Sequence, residues 1–136
     1  MIFLLDTNVI SELRKGARAD RHVAAWFRSL NDGDLYLSAL VLGEIRNDIE
    51  QLRRRDVLQA TALEAWLNRM IVEFADRILP VDRLIADEWG RIAALRSIPP
   101  IDALLAATAK VHGMVLATRN ETDFAATGVP LLNPFR

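Results

Sequence analysis

The sequence predicts an α/β fold, a mainly parallel sheet of four to five short strands sandwiched between helices. Three observations predict it. Short apolar runs alternate with longer helical stretches along all 136 residues. The first run, Ile2–Leu5, is apolar at every position, as a strand buried on both faces requires. Helix starts and stops also carry the expected residues, with Ser38, Asp82 and Pro100 at starts and Gly113 at a stop.

In chain order, Ile2–Leu5 is the first strand, and a short helix from Val9 to Lys15 ends near Gly16. A second helix, from Asp20 to Leu30, leads into the turn Asn31-Asp32-Gly33-Asp34. Leu35-Tyr36-Leu37 forms the second strand, and Ser38 caps a helix that runs to about Arg54. Asp56 opens a long helix to about Phe74, followed by a third strand, Ile78–Val81. Asp82 caps a helix to about Arg96, and Pro99-Pro100 breaks the chain before a helix that ends near His112. Met114–Ala117 is the fourth strand, and Val129–Leu132 supplies a fifth. No repeat or linker divides the chain, so a single domain over 1–136 is expected.

Composition narrows the class. Hydrophobic residues make up 51%, enough for a core without metal or disulfides, and there is no cysteine, as suits a reducing cytoplasm. The run before Asp6 is too short for a signal peptide or a membrane span, so no membrane association is expected. Net charge is −1, so phosphates would have to be held by local cations, such as Arg14, Lys15, Arg18 and Arg21 or Arg53, Arg54 and Arg55. His22 and His112 stand alone without metal-ligand spacing, and Trp26, Trp66 and Trp89 lie on helices among apolar neighbours. There is no glycine-rich phosphate loop.

The acids are more telling. An open parallel sheet does its chemistry outside the carboxyl ends of its strands. Asp6 directly follows the first strand, and Glu44 lies in the second turn of the helix leaving the second, its side chain tilted back to that edge. Asp102 is in the first turn of a helix antiparallel to the fourth strand, so it begins where that strand ends; Asp123, with Asn120 nearer still, follows the same strand. Each alone has an ordinary explanation, such as complementing a helix dipole. As a set they do not, because unit charges ~5 Å apart repel by ~3 kcal/mol per pair at an effective dielectric of ~20. Such a cluster protonates or binds a cation. Carboxylates without cysteine or histidine favour Mg2+ or Mn2+ over zinc, which is the equipment of phosphodiester hydrolysis.

The same residues resemble a known family. Leu4-Leu5-Asp6-Thr7-Asn8-Val9-Ile10 resembles the LLDTNVI opening of the PIN-domain VapC toxins. Leu37-Ser38 with Gly43-Glu44-Ile45-Arg46 resembles their LS…(A/G)E(L/I)R motif, and Pro100-Ile101-Asp102 with Leu105-Ala106-Ala107-Thr108-Ala109 resembles their D…IAATA helix. Leu116-Ala117-Thr118-Arg119-Asn120 with Asp123-Phe124 is similar to their TRN..DF loop, and Leu132-Asn133-Pro134-Phe135 to their NP(F/W) ending. Five motifs in register point to the FitB-like subgroup.

The resemblance implies a PIN-like α/β/α sandwich and a Mg2+- or Mn2+-dependent endoribonuclease. It implies a toxin silenced by a VapB-like antitoxin whose tail occupies the nuclease groove, and a homodimer that forms a heterotetramer or larger with that antitoxin. DNA would be bound only through the antitoxin. Asp6, Glu44 and Asp102 fall on the family's metal-site acids, while Thr7, Asn8 and Thr118 fall on polar positions that orient them. Asp123 completes the set with Asn120 in support, although some relatives carry an acid where this chain has Asn120. The segment between Arg96 and Asp102 is shorter than in many relatives.

Two other functions compete. A PIN module that only sequesters RNA or antitoxin would need no metal-dependent turnover. An aspartyl-nucleophile phosphatase also places an Asp after its first strand but wants a second Asp two positions on, where this chain has Asn8.

Overall fold

The computed structural model describes residues 1–136. Its elements are β1 (Phe3–Leu5), α1 (Thr7–Leu13), α2 (Arg21–Arg28), β2 (Leu35–Ser38), α3 (Ala39–Arg53), α4 (Val57–Glu73), β3 (Ile78–Leu79), α5 (Arg83–Leu95), α6 (Pro100–His112), β4 (Val115–Ala117), α7 (Glu121–Ala125) and β5 (Leu131–Leu132). The five strands form one sheet in the order β3-β2-β1-β4-β5, and every neighbouring pair is parallel. The α/β class with a parallel central sheet is therefore what folds.

The reason is visible in the strands. Phe3, Leu4 and Leu5 are all buried, as are Leu35, Leu37, Leu116 and Ala117, so β1, β2 and β4 need cover on both faces. Helices supply it, with α3 packed on α4 and α5 on α6. Ala103, Ala106, Ala107 and Ala109 give α6 a buried face with little side-chain volume.

Some boundaries shift: the fifth strand is only Leu131–Leu132 and the second helix only Arg21–Arg28. The first helix begins at Thr7 rather than Val9, because the Asp6 side chain caps it by accepting the Thr7 N–H. The third strand stops at Leu79, since Pro80 has no N–H to donate to a ladder. The segment that holds Asp123 is the short helix α7, not a loop. No helix is long and apolar enough to cross a membrane.

The strand order carries the functional consequence. From β1 the chain builds outward through β2 and β3 on one side, then returns to add β4 and β5 on the other. The order reverses between β1 and β4. Ligands of open parallel sheets bind beyond the strand ends at such a reversal.

Candidate active site

Asp6 follows β1 and Thr118 follows β4, so the two residues meet at this reversal. The Thr118 hydroxyl donates to Asp6 Oδ2 at 2.8 Å, and the Asn8 amide donates to the same oxygen at 3.3 Å. The other oxygen, Oδ1, accepts the Thr7 N–H at 2.8 Å. Asp6 is only 6% exposed. Burial pushes its carboxyl above the ordinary range against the pull of these hydrogen bonds, and the charge of Asp123 pushes the same way.

Thr7 also faces the other direction. Its hydroxyl donates to Glu44 Oε1 at 2.7 Å, so one residue ties the acid after β1 to the acid on α3. Glu44 is half-buried and lines a hollow of about 550 Å³ with Thr7, Gly43, Asp48, Val81 and Ile101. Asp102, in the first turn of α6, is also half-buried. Its carboxyl is pushed up to about 6, first by burial and then by repulsion from Asp6, Glu44 and Asp123. Three of the expected acids therefore act on the fourth, Asp102. Asp123 itself is exposed on α7, and Asn120 at the start of that helix donates its N–H to Thr118 Oγ1 at 3.0 Å.

The supporting residues form a small frame. Thr118 is fully buried and also stands 3.4 Å from the Asn8 amide. The Asn8 side-chain oxygen accepts the Arg119 N–H at 3.1 Å, which pins the segment after β4 to the start of α1. With both oxygens engaged in hydrogen bonds, Asp6 is held in place, and Asn8 is one of the groups that hold it.

The donor set fits a hard divalent cation in its chemistry, being all oxygen, partly buried and mutually repelling. No group of three or more acidic or imidazole side chains is packed tightly enough to hold an ion as it stands. Mg2+ keeps several of its own waters and takes one or two carboxylates directly, so loosely spaced acids match it. A more enclosed apolar cleft lies between α1, α2 and α4, lined by Leu13, Phe27, Trp66 and Met70, but none of the four acids lines it. Of the four acids only Glu44 lines the hollow beside it, which makes that hollow, and not the more enclosed cleft, the candidate site.

Sequence reasoning missed two groups. Asp48 lines the hollow one turn beyond Glu44, and the i,i+4 spacing on one helix face was the available signal. Arg119 lay inside the motif after β4 without a role, and its side chain stacks on Phe135 at 4.2 Å.

The PIN-domain family model matches residues 3–130. Toxin FitB of Neisseria gonorrhoeae is 36% identical, covering 98% of this chain and 99% of its own. VapC ribonuclease Y4jK of Sinorhizobium fredii is 35% identical, covering 98% of each. The crystal structure of FitAcB from Neisseria gonorrhoeae superposes with a TM-score of 0.89 at 35% identity, covering 99% of both chains.

Proposed function

The chain belongs to the PIN-domain family of nucleases, and from that premise we propose that it is the toxin of a toxin–antitoxin pair. It hydrolyses RNA phosphodiester bonds with Mg2+ or Mn2+, and a VapB-like antitoxin silences it. The observation that carries the reading is the common field at the sheet reversal. Three acids, Asp6 after β1, Glu44 on α3 and Asp123 on α7, act on Asp102 of α6 from separate parts of the chain, a cost that a bound cation relieves.

In this reading Asp6, Glu44, Asp102 and Asp123 hold the cation, and the unit is one PIN domain over 1–136. The bound ion supplies positive charge that polarises the phosphate and makes a nearby water more acidic. Thr118 and Asn8 fix Asp6, and Thr7 fixes Glu44, so the carboxylates meet the ion in set positions. Water attacks phosphorus in line as the opposite P–O ester bond breaks; a carboxylate of the set takes its proton, and the departing oxygen is protonated in turn.

The partners follow from surfaces. The apolar cleft between α1, α2 and α4 is rimmed by Arg14, Arg28 and Arg69, so it suits an amphipathic antitoxin segment with acidic flanks whose tail continues into the acid hollow. Exposed Val81 and Ile101 in the wall of the hollow, with exposed Leu84 on α5, suit a second copy, giving a homodimer that assembles further with antitoxin. DNA is engaged only by the antitoxin, and the site of action is the cytoplasm.

The test is sequencing of RNA ends after induced expression, with purified protein assayed for cleavage in Mg2+, Mn2+ and EDTA. Wild type should yield new ends at defined positions and lose activity in EDTA. Asp6→Asn should lose on the order of 100-fold or more. Undiminished cleavage by Asp6→Asn would refute the site, and RNA binding without metal-dependent turnover would favour the sequestering module instead.

A further inference from the structure

A site built from carboxylates repels the polyanion it is to cut, and a chain of net charge −1 offers no global attraction. RNA must therefore be gripped by particular cations at the rim. Several of the chain's cations are already committed to acids: Lys15 to Glu12, Arg53 to Glu50 and Glu64, Arg136 to Glu121. Arg119 is not. Its guanidinium is exposed, makes no ion pair or hydrogen bond, and lies over the Phe135 ring at 4.2 Å.

Its backbone is fixed with equal care. The Arg119 N–H is held by the Asn8 side chain at 3.1 Å, and Asn8 in turn donates to Asp6. Thr118 on one side donates to Asp6, and Asn120 on the other donates its N–H to Thr118. The cation therefore springs from the frame that holds the first acid. Its charge also reaches Asp20 at the start of α2, whose carboxyl is held low against desolvation by the Val23 and His22 N–H groups, the charge of His22 and, last, that of Arg119.

We infer that Arg119 grips an RNA backbone phosphate flanking the one cut, and that Phe135 is the positioning residue that holds its guanidinium ready. A planar fork with all its donors free is the group that binds phosphate bidentately. Stacking on an aromatic face fixes the fork's plane while leaving its edges open. A mere tether is already present, because Glu121 holds the same segment through Asn133 and Arg136. The stack is therefore surplus to anchoring Phe135 and useful for presenting Arg119. The inference rests on the nuclease reading and names how that site takes hold of its substrate.

The experiment compares steady-state cleavage of a short fluorogenic single-stranded RNA by wild type, Arg119→Ala, Arg119→Lys, Phe135→Ala, Phe135→Trp and the double alanine variant. Arg119→Ala should raise KM about tenfold with kcat within about twofold, as loss of one charged hydrogen-bonded contact implies. Its dependence of log KM on log salt should be shallower by about 0.7. Phe135→Ala should raise KM about threefold, Phe135→Trp should match wild type, and the double variant should be no weaker than Arg119→Ala alone. Arg119→Lys keeps the charge without the fork and should fall between wild type and alanine, which guards against a folding defect in the alanine variant. Wild-type KM and salt slope in Arg119→Ala, or a drop in kcat alone, overturn the inference while leaving the nuclease reading intact. A wild type that neither cleaves nor binds RNA overturns both.

Discussion

Thr7 shows how much of the site rests on one side chain. Its N–H goes to Asp6 and its hydroxyl to Glu44, so it sets the spacing of two acids with a single backbone position. Thr7→Val keeps the shape and removes the hydroxyl, and cleavage should fall about 10- to 100-fold, as for other groups that orient metal-site ligands. Thr7→Ser should keep most activity, and melting curves should show all three proteins folded. Asp102 makes a second prediction, on stability. Burial, then repulsion by Asp6, Glu44 and Asp123, lifts its carboxyl from 3.8 to about 6. A folded value above the unfolded one means that the favourable contribution is complete below 3.8 and lost as pH rises through about 6. In EDTA at pH 7, Asp102→Asn should therefore be more stable than wild type, by on the order of 1 kcal/mol once solvent screening is allowed for. Urea unfolding at pH 7 and at pH 4 checks the sign, because the gain should shrink at the lower pH. An equal gain at both would point to something other than charge.

Elements decide whether these residues meet at all. Ser38 is the last residue of β2 and the cap of α3, where its Oγ accepts the Leu40 N–H at 3.1 Å. Since Ser38 is fully buried, water cannot replace that bond in Ser38→Ala, which should lose about 1 to 2 kcal/mol in urea unfolding. The caps Ser38 and Asp82, with Pro100 and Gly113, were legible in the sequence because each is a local chemical signal, and they bounded α3, α5 and α6 closely. Gly113 has φ +65°, a conformation that favours glycine, which is why it stops α6 cleanly. The edge on which Asp6, Glu44 and Asp102 lie was legible too, because a helix after or before a parallel strand has only one direction to run. What escaped was set by tertiary structure. The helix α7 has five residues, too few for a periodic pattern, and only Asn120 with Glu121 and Asp123 hinted at its first turn. The place of β1 beside β4 depends on pairing between residues far apart in sequence, so the Asp6–Thr118 hydrogen bond could not be derived from spacing.

At the scale of the molecule, the acids come from both wings of the sheet. Glu44 follows β2 on one side of β1, Asp123 follows β4 on the other, and Asp6 stands between them. Their repulsion of Asp102 acts across the reversal point, between parts of the chain far apart in sequence. A divalent cation bound there would link the wings and should stabilise the whole fold, not one loop. Binding to the folded state alone contributes about 2.7 kcal/mol when the free ion is about 100-fold above its Kd. For a chain of this size that corresponds to a rise in melting temperature on the order of 10 °C. Mg2+ or Mn2+ should produce such a rise in wild type at pH 7, while NaCl at matched ionic strength, which only screens, should not. Asp102→Asn should start higher in EDTA and gain far less from the ion, so that the two melting curves approach or cross as the ion is added. The ion's effect on wild type should also fade as pH drops through about 6, because protons then compete for the Asp102 oxygens. An equal ion-induced rise in both proteins would place the cation elsewhere on the surface, and with it would go the reason for bringing four acids to one end of the sheet.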